Sequence, residues 1–427
     1  MKSVQVLLAS LLAQLGAPFL LPQTAVCRHA PLHAATTMPS HSPATDLQNQ
    51  IYGWRGYDVR YQVSGPLDAD HTLLLVHGLF VNSDHWRKMI KGLSAKNHED
   101  GHGKTYRVYA IDLFGSGWSS KPSRNDRKAQ QVNGENGRFY EDKSQCFREA
   151  NDVPGPKKVR SKPTLSNVPL GTAAGGNRLA TSLDLRHPLR SPYNFYTWSE
   201  QLADFTREVI QADSSSDGKK KITLVANSIG TMSSLQAVLD EPDLFNGCFV
   251  INPNYRELHM AEVPFGSVSM PLVRQIQSLL RSRGHGLFKT LATPETVKQI
   301  LNEPYAISEA VDDELVSVLL DPLLTEGADD VVFDTLSYSA GPLPEQQLSS
   351  PDFPDVPVWV TYGQEDPWTP PRRVESLQKV VERIREGDEE PTSPVKRVIP
   401  LEGAGHCPHD EVPDLVNELV IEFLNSL

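Results

Sequence analysis

From Tyr57 to Val63 the chain reads Tyr-Asp-Val-Arg-Tyr-Gln-Val, alternating large and polar side chains. That is the period of an early antiparallel strand with one face in water. His71-Thr-Leu-Leu-Leu-Val76 is a continuous apolar run, the pattern of a strand buried on both faces. Val108–Asp112, Lys221–Ala226, Phe249–Asn252, Val356–Tyr362 and Val395–Pro400 are further apolar runs of strand length. Helical spacing falls between them. A helix starting near Tyr196 carries Leu202, Phe205, Val209 and Ile210 on one face, and another runs from Thr231 to Leu239. A last helix, Pro413 to Leu424, places Leu415, Val416, Leu419, Val420 and Phe423 at helical intervals. Strand and helix in alternation predict a mainly parallel sheet covered by helices.

Two stretches break this rhythm. Residues 121–190 are polar and rich in Gly, Pro, Lys, Arg and Asn, and predict a long surface insertion. Its end, from Asp184 to Tyr193, reads as more ordered. Residues 254–350 are helical in pattern, with helices expected over 272–280, 293–301 and 312–320. A helical block between two core strands would sit over the strand ends as a cap. The expected organisation is therefore a leader at 1–45, a first core segment at 46–253, the cap at 254–350 and a second core segment at 351–427.

The leader follows from composition. Residues 4–21 are a short apolar core behind Lys2, broken by Gln5, Gln14, Gly16 and Pro18, as in a secretory signal peptide rather than a membrane-spanning helix. The next stretch is rich in Ala, Ser, Thr and Pro, and the first acidic residue of the chain is Asp46. An acid-free, hydroxyl-rich segment has transit-peptide composition. Signal and transit in tandem predict a plastid bounded by extra membranes; the secretory route is the alternative.

Over the whole chain of 427 residues the formal net charge is -12, which disfavours nucleic acid and anionic lipid as partners. The four cysteines, Cys27, Cys146, Cys248 and Cys407, form no CxxC pair, so neither a disulfide framework nor a zinc site is expected. No metal or organic cofactor is implied.

Candidate chemistry lies at the ends of the apolar runs. Val225-Ala-Asn-Ser-Ile-Gly230 joins a strand to a helix in the pattern small-x-Ser-x-Gly, a nucleophile elbow with Ser228 at its tip. Bulk at 226 or 230 would clash with the neighbouring strand and helix, and the backbone N–H of Ile229 would face a developing oxyanion. His77-Gly-Leu-Phe80 ends another strand; there the N–H of Leu79 is the natural second donor, and His77 is expected to be structural. Gly363-Gln-Glu-Asp366 puts a carboxylate just past a strand, with Asp366 chosen and Glu365 as the alternative. Gly403-Ala-Gly-His406 turns sharply into a histidine, with His409 as the competitor. Ser228, Asp366 and His406, in that order along the chain, can form a triad of nucleophile, orienting acid and base.

These motifs resemble the α/β-hydrolase superfamily, in its capped branch, over about residues 51–427 apart from the insertion. The resemblance implies a mostly parallel eight-stranded sheet flanked by helices, with an inserted helical cap. Three segments, at 77–86, 112–119 and 196–202, are similar to plastid hydrolases of plants and algae such as the pheophytinases and chlorophyll dephytylases, which cleave a phytyl ester. Ala226 and Thr231 depart from the usual glycines. The implied activity is hydrolysis of an apolar carboxylic ester, phytyl or another lipid ester, through an acyl-enzyme. Such a substrate leaves room for peripheral membrane association, and the sequence gives no oligomeric state. Phe265, Leu272, Ile276 and Phe288 are candidate pocket-lining residues in the cap. One alternative is a carbon–carbon hydrolase of ring-cleavage dienone acids, which would need a basic group such as Arg256, Arg274 or Arg281. The other is a catalytically inactive binding protein.

Overall fold

The computed structural model describes residues 37–99, 103–136, 169–171, 177–179, 187–213, 220–255, 275, 288, 292–338, 341–350, 352–369, 371–382 and 392–427. Eight strands form one sheet: β1 (Gln50–Trp54), β2 (Tyr57–Ser64), β3 (His71–Val76), β4 (Tyr106–Ile111), β5 (Ile222–Ser228), β6 (Phe245–Pro253), β7 (Val358–Gly363) and β8 (Val395–Leu401). Their order across the sheet is β1-β2-β4-β3-β5-β6-β7-β8. β1 and β2 are antiparallel, as are β2 and β4, and the remaining neighbours are parallel. The alternating segment and the six apolar runs read as strands all fall on strands of this sheet. β1 was not expected: it is short, carries Gly53, and pairs with β2 through Arg55 and Gly56, both at positive φ. Two successive positive φ values match the right-handed twist of a hairpin.

Helices cover both faces because the central strands are apolar on both. On one face α1 (Arg87–Glu99) packs against the C-terminal helix, Pro413–Asn425, through a cluster of Trp86, Met89, Leu93, Val416, Val420 and Phe423. On the other, Phe195–Phe205, here α2, and Ile229–Asp240, here α3, bury Trp198, Leu202, Met232 and Leu235. α2 runs on through a π-turn at Thr206–Ile210.

Within the cap segment the described helices are α4 (Pro294–Leu301), α5 (Asp313–Leu323), α6 (Ala328–Leu336) and α7 (Pro344–Leu348). Tyr305, Val311, Leu315 and Leu319 cluster there with Val81 and Cys407 from loops of the core. Of the helix expected over 272–280 only Gln275, which is helical, is described; Phe265, Leu272, Ile276, Arg256, Arg274 and Arg281 lie outside the described residues. Phe288 sits beside Phe333 of α6, ring centroids 6.4 Å apart. No described helix is long and apolar enough to cross a membrane.

Two boundaries read from composition shift. Ser42, Ala44 and Thr45 are buried, and Ser42 donates to Asp84 at 2.6 Å, so the folded domain begins before residue 46. The polar stretch after residue 121 is also partly core. Val132, Asn133, Glu135 and Asn136 are buried, as is His187. Gln130 and Asn133 donate to the Arg190 carbonyl at 2.9 and 3.1 Å, and Glu135 accepts from the His187 N–H at 2.8 Å. The two ends of the stretch are thereby tied at a neck. Polar composition hid this packing because its buried amides and carboxylate are satisfied by backbone groups across the neck.

A charged cluster lies under the sheet edge. Arg60, fully buried on β2, donates to Asp84 at 2.8 Å and to Asp112 at 3.3 Å. Asp112 also accepts from the N–H and hydroxyl of Ser83 and the N–H of Trp118. Removing one partner strands the others without solvent. Arg60→Met should therefore lower the unfolding free energy by about 3–5 kcal/mol in urea denaturation; a loss below about 1 kcal/mol would show the cluster to be dispensable.

Candidate active site

β5 is gripped between β3 and β6, with Val76 beside Ala226 and Ser228 beside Pro253. At its end Ser228 has φ +54 and α3 begins at once. A serine held at positive φ in a strand-to-helix turn is thrust out of the sheet at the C-terminal end. The turn demands small neighbours. A Cβ on Gly230 would lie 2.5 Å from the Val76 carbonyl oxygen, and one on Gly78 would lie 3.2 Å from the Ser228 Cβ. The Gly78-Leu79 loop therefore runs directly beside the serine, as a loop offering the Leu79 N–H must. His77 holds that loop. Its Nε2 accepts from the Leu113 N–H at 3.0 Å, so the proton resides on Nδ1, which bonds the Gly78 carbonyl at 2.7 Å.

Asp366 and His406 meet across the ends of β7 and β8. His406 Nδ1 lies 2.7 Å from Asp366 Oδ2, and both residues are buried. Asp366 also accepts from the Trp368 N–H at 2.7 Å and from the Asn252 amide at 2.5 Å. Burial opposes its charge, but the facing His406 imidazole and the hydrogen bonds from His406, Thr369 and the Trp368 N–H outweigh burial and hold the carboxyl below the usual carboxylate range. The imidazole is thus oriented by Nδ1, with Trp368 edge-on at 4.9 Å.

The two alternatives separate cleanly. Glu365 is exposed, while its N–H bonds the Ala404 carbonyl. His409 is buried against Trp86 and lies 3.2 Å from His85, in a network with Tyr305 and Asp410 on the far side of the histidine loop. Burial, chiefly, keeps both His85 and His409 well below the usual imidazole range.

Three asparagines complete the site, none of them singled out from the sequence. The Asn227 amide donates to the carbonyls of His406 at 3.1 Å and Ile251 at 3.3 Å, tying the elbow to the histidine loop. Asn252 sits at φ +46 at the end of β6 and braces Asp366. Asn254 Nδ2 lies 3.5 Å from Ser228 Oγ, so in this state the hydroxyl is met by an amide, with no hydrogen bond to His406. Asparagine ending an apolar strand, as in Phe-Val-Ile-Asn252, was the available signal. The cap contributes too: the Pro304 carbonyl accepts from the His406 N–H at 2.7 Å. Among the described residues no His, Cys, Asp or Glu group is arranged to hold a metal ion.

A family model described as the alpha/beta hydrolase family matches residues 73–419. The chain is 24% identical over 386 residues to a chloroplastic pheophytinase of Arabidopsis thaliana, covering 86% of this chain and 64% of that protein. It thus spans less than two thirds of that relative's length. Among solved structures, a serine hydrolase involved in carbazole degradation superposes with a TM-score of 0.52 at 15% identity, covering 89% of this chain and all of that one. A thermophilic esterase from Thermogutta terrifontis gives 0.51 at 15%, covering 89% of this chain and 98% of the other. At such identities the superpositions speak for the fold.

Two outcomes follow from the geometry. Gly230→Ala forces a side chain onto the β3 backbone and should cost about 1–3 kcal/mol in chemical unfolding; no loss would mean the turn has room to yield. Because the folded Asp366 carboxyl is depressed, its contribution to stability is complete above its unfolded pKa of about 4 and is lost as pH falls through the lower folded value. Asp366→Asn should flatten the stability–pH curve below about pH 4; an unchanged slope there would contradict the assigned direction.

Proposed function

Because the chain belongs to the α/β-hydrolase family, we propose that it is a serine hydrolase cleaving an apolar carboxylic ester, with Ser228 as nucleophile, His406 as base and Asp366 as the orienting acid. The observation that carries this reading is the buried Asp366–His406 pair at 2.7 Å, on a loop that Asn227 ties to the elbow of Ser228. With Nδ1–H given to Asp366, Nε2 of His406 has its lone pair available for the Ser228 proton. For that transfer the Ser228 hydroxyl turns from Asn254 towards the imidazole. Ser228 Oγ then bonds to the ester carbonyl carbon, and the carbonyl oxygen takes the charge between the N–H groups of Leu79 and Ile229. His406 returns the proton to the departing alcohol. Water, deprotonated by the same imidazole, attacks the acyl-enzyme and frees the acid and Ser228.

For the substrate, the similarity to a chloroplastic pheophytinase favours a phytyl ester of a chlorophyll-type pigment, and a plastid location consistent with the composition of residues 1–45. Such esters reside in lipid, and exposed Ile300 on α4 and Leu324 just past the end of α5 suit peripheral contact with a membrane. An intact acid–imidazole pair argues against an inactive binding protein.

The full chain, incubated with pheophytin a while phytol release is followed by chromatography, should release phytol, and Ser228→Ala should abolish release and labelling by a fluorophosphonate probe. Asp366→Asn should lower kcat by about 10⁴ by favouring the wrong tautomer of His406. Labelling without phytol release would keep the hydrolase and remove the pigment. A wild-type protein that does not label would overturn the reading.

A further inference from the structure

Beside the proposed nucleophile lies a cleft of about 450 Å³, part of it open to solvent. Leu79 and Ile229 form the wall nearest Ser228, and Trp198, Leu319 and Leu323 help make the remainder largely apolar. Among the described lining residues the single charged side chain is Lys121. It belongs to the polar stretch that composition assigns to the surface, yet it is packed into the cleft, its own backbone against Gly327 at the start of α6. Its ammonium donates to the carbonyls of Gly117 and, at 3.2 Å, Ser119. An ammonium has three donors. No acceptor among the described residues takes the third, and the cleft is where an acceptor could come from.

We propose that Lys121 is a specificity-determining residue that receives a neutral carbonyl oxygen carried by the substrate away from its scissile ester. This inference rests on the proposed esterase function. Charge accounting favours a neutral acceptor over an anion. The buried groups linked to Lys121 are Asp112, whose field reaches it, then Arg60 and Asp84. Two acids thus face two bases, and the set is already balanced. An added carboxylate would leave one buried negative charge in excess, whereas a ketone or ester carbonyl satisfies the open donor without it. Burial pushes the Lys121 ammonium down to about 8, the mark of a charge short of solvation, which a ligand oxygen would supply. The substrate class is an otherwise apolar ester bearing a second, non-reacting carbonyl, and the carbonyl sits at the distance that spans the cleft.

The test compares para-nitrophenyl esters of straight-chain keto acids, matched alkyl acids and matched dicarboxylic monoacids of increasing length. Acetates of matched keto alcohols and alkanols repeat the comparison on the alcohol side. In the full-length wild type, one keto series should exceed its alkyl match in kcat/KM by about tenfold or more at a preferred length, the scale of a hydrogen bond to a charged donor. In Lys121→Met that ratio should fall towards one, and Lys121→Arg should keep part of it. Each ratio is taken within one protein, so a variant that folds poorly still reports. A keto-to-alkyl ratio near one in wild type, or one that survives Lys121→Met, overturns the inference while leaving the hydrolase standing. A preference for the dicarboxylic monoacids overturns the neutral ligand. Should no ester be turned over, protection of Ser228 from fluorophosphonate labelling decides: a ketone must protect better than its matched alkane in wild type and equally in Lys121→Met, or the inference fails.

Discussion

Ser228 occupies a backbone conformation that costs a non-glycine residue about 1–3 kcal/mol, and the rest of the site depends on its being held there. The grip comes from both flanks. β3 and β6 clamp β5 through their parallel ladders, and α3 starts at the very next residue. Neither flank can close unless Gly78 and Gly230 carry no side chain. The large apolar faces of the sheet supply the stability against which this local strain is set. Helices that merely covered the sheet would not do so; α3 must also enter at the angle that Gly230 permits.

The linkage from elbow to imidazole is made of neutral amides. Asn227 reaches the histidine loop, Asn252 reaches Asp366, and Asn254 reaches the serine hydroxyl. Amides can brace without adding charge. A lysine or arginine in any of these places would compete with His406 for the Asp366 carboxylate, and a further acid would disturb its ionisation. The charged residues that do lie nearby, Arg60, Asp84 and Asp112, pair with one another at the base of the loops, and Lys121 supplies the second positive charge that balances them. Polarity near Ser228 is thus directional and weak, suited to a site that admits apolar molecules.

Much of this was legible from the sequence because parallel strands buried on both faces are written as unbroken apolar runs, and the chemistry sits just past their ends. His71–Val76 was read to the residue, and Ser228, Asp366 and His406 each followed such a run. β1 escaped because a short strand containing glycine and ending in an Arg-Gly hairpin carries little periodicity. Composition assigns Ser42 and Thr45 to the leader, since packing of small hydroxyl residues leaves no mark in it. Lys121 was missed for a related reason. Its placement depends on carbonyls of Gly117 and Ser119, which are backbone groups and have no sequence signature. Asn254 is the converse case, a residue whose position near Ser228 arises only when two strand ends are brought side by side.

The neck that joins residues 130–136 to 187–190 separates two tasks that sequence numbering runs together. Closing a loop costs entropy that grows only slowly with its length, and here the closure is made by side chains of the neck itself. The neck thus acts as a socket, joining the two halves through bonds of its own whatever the length strung between them.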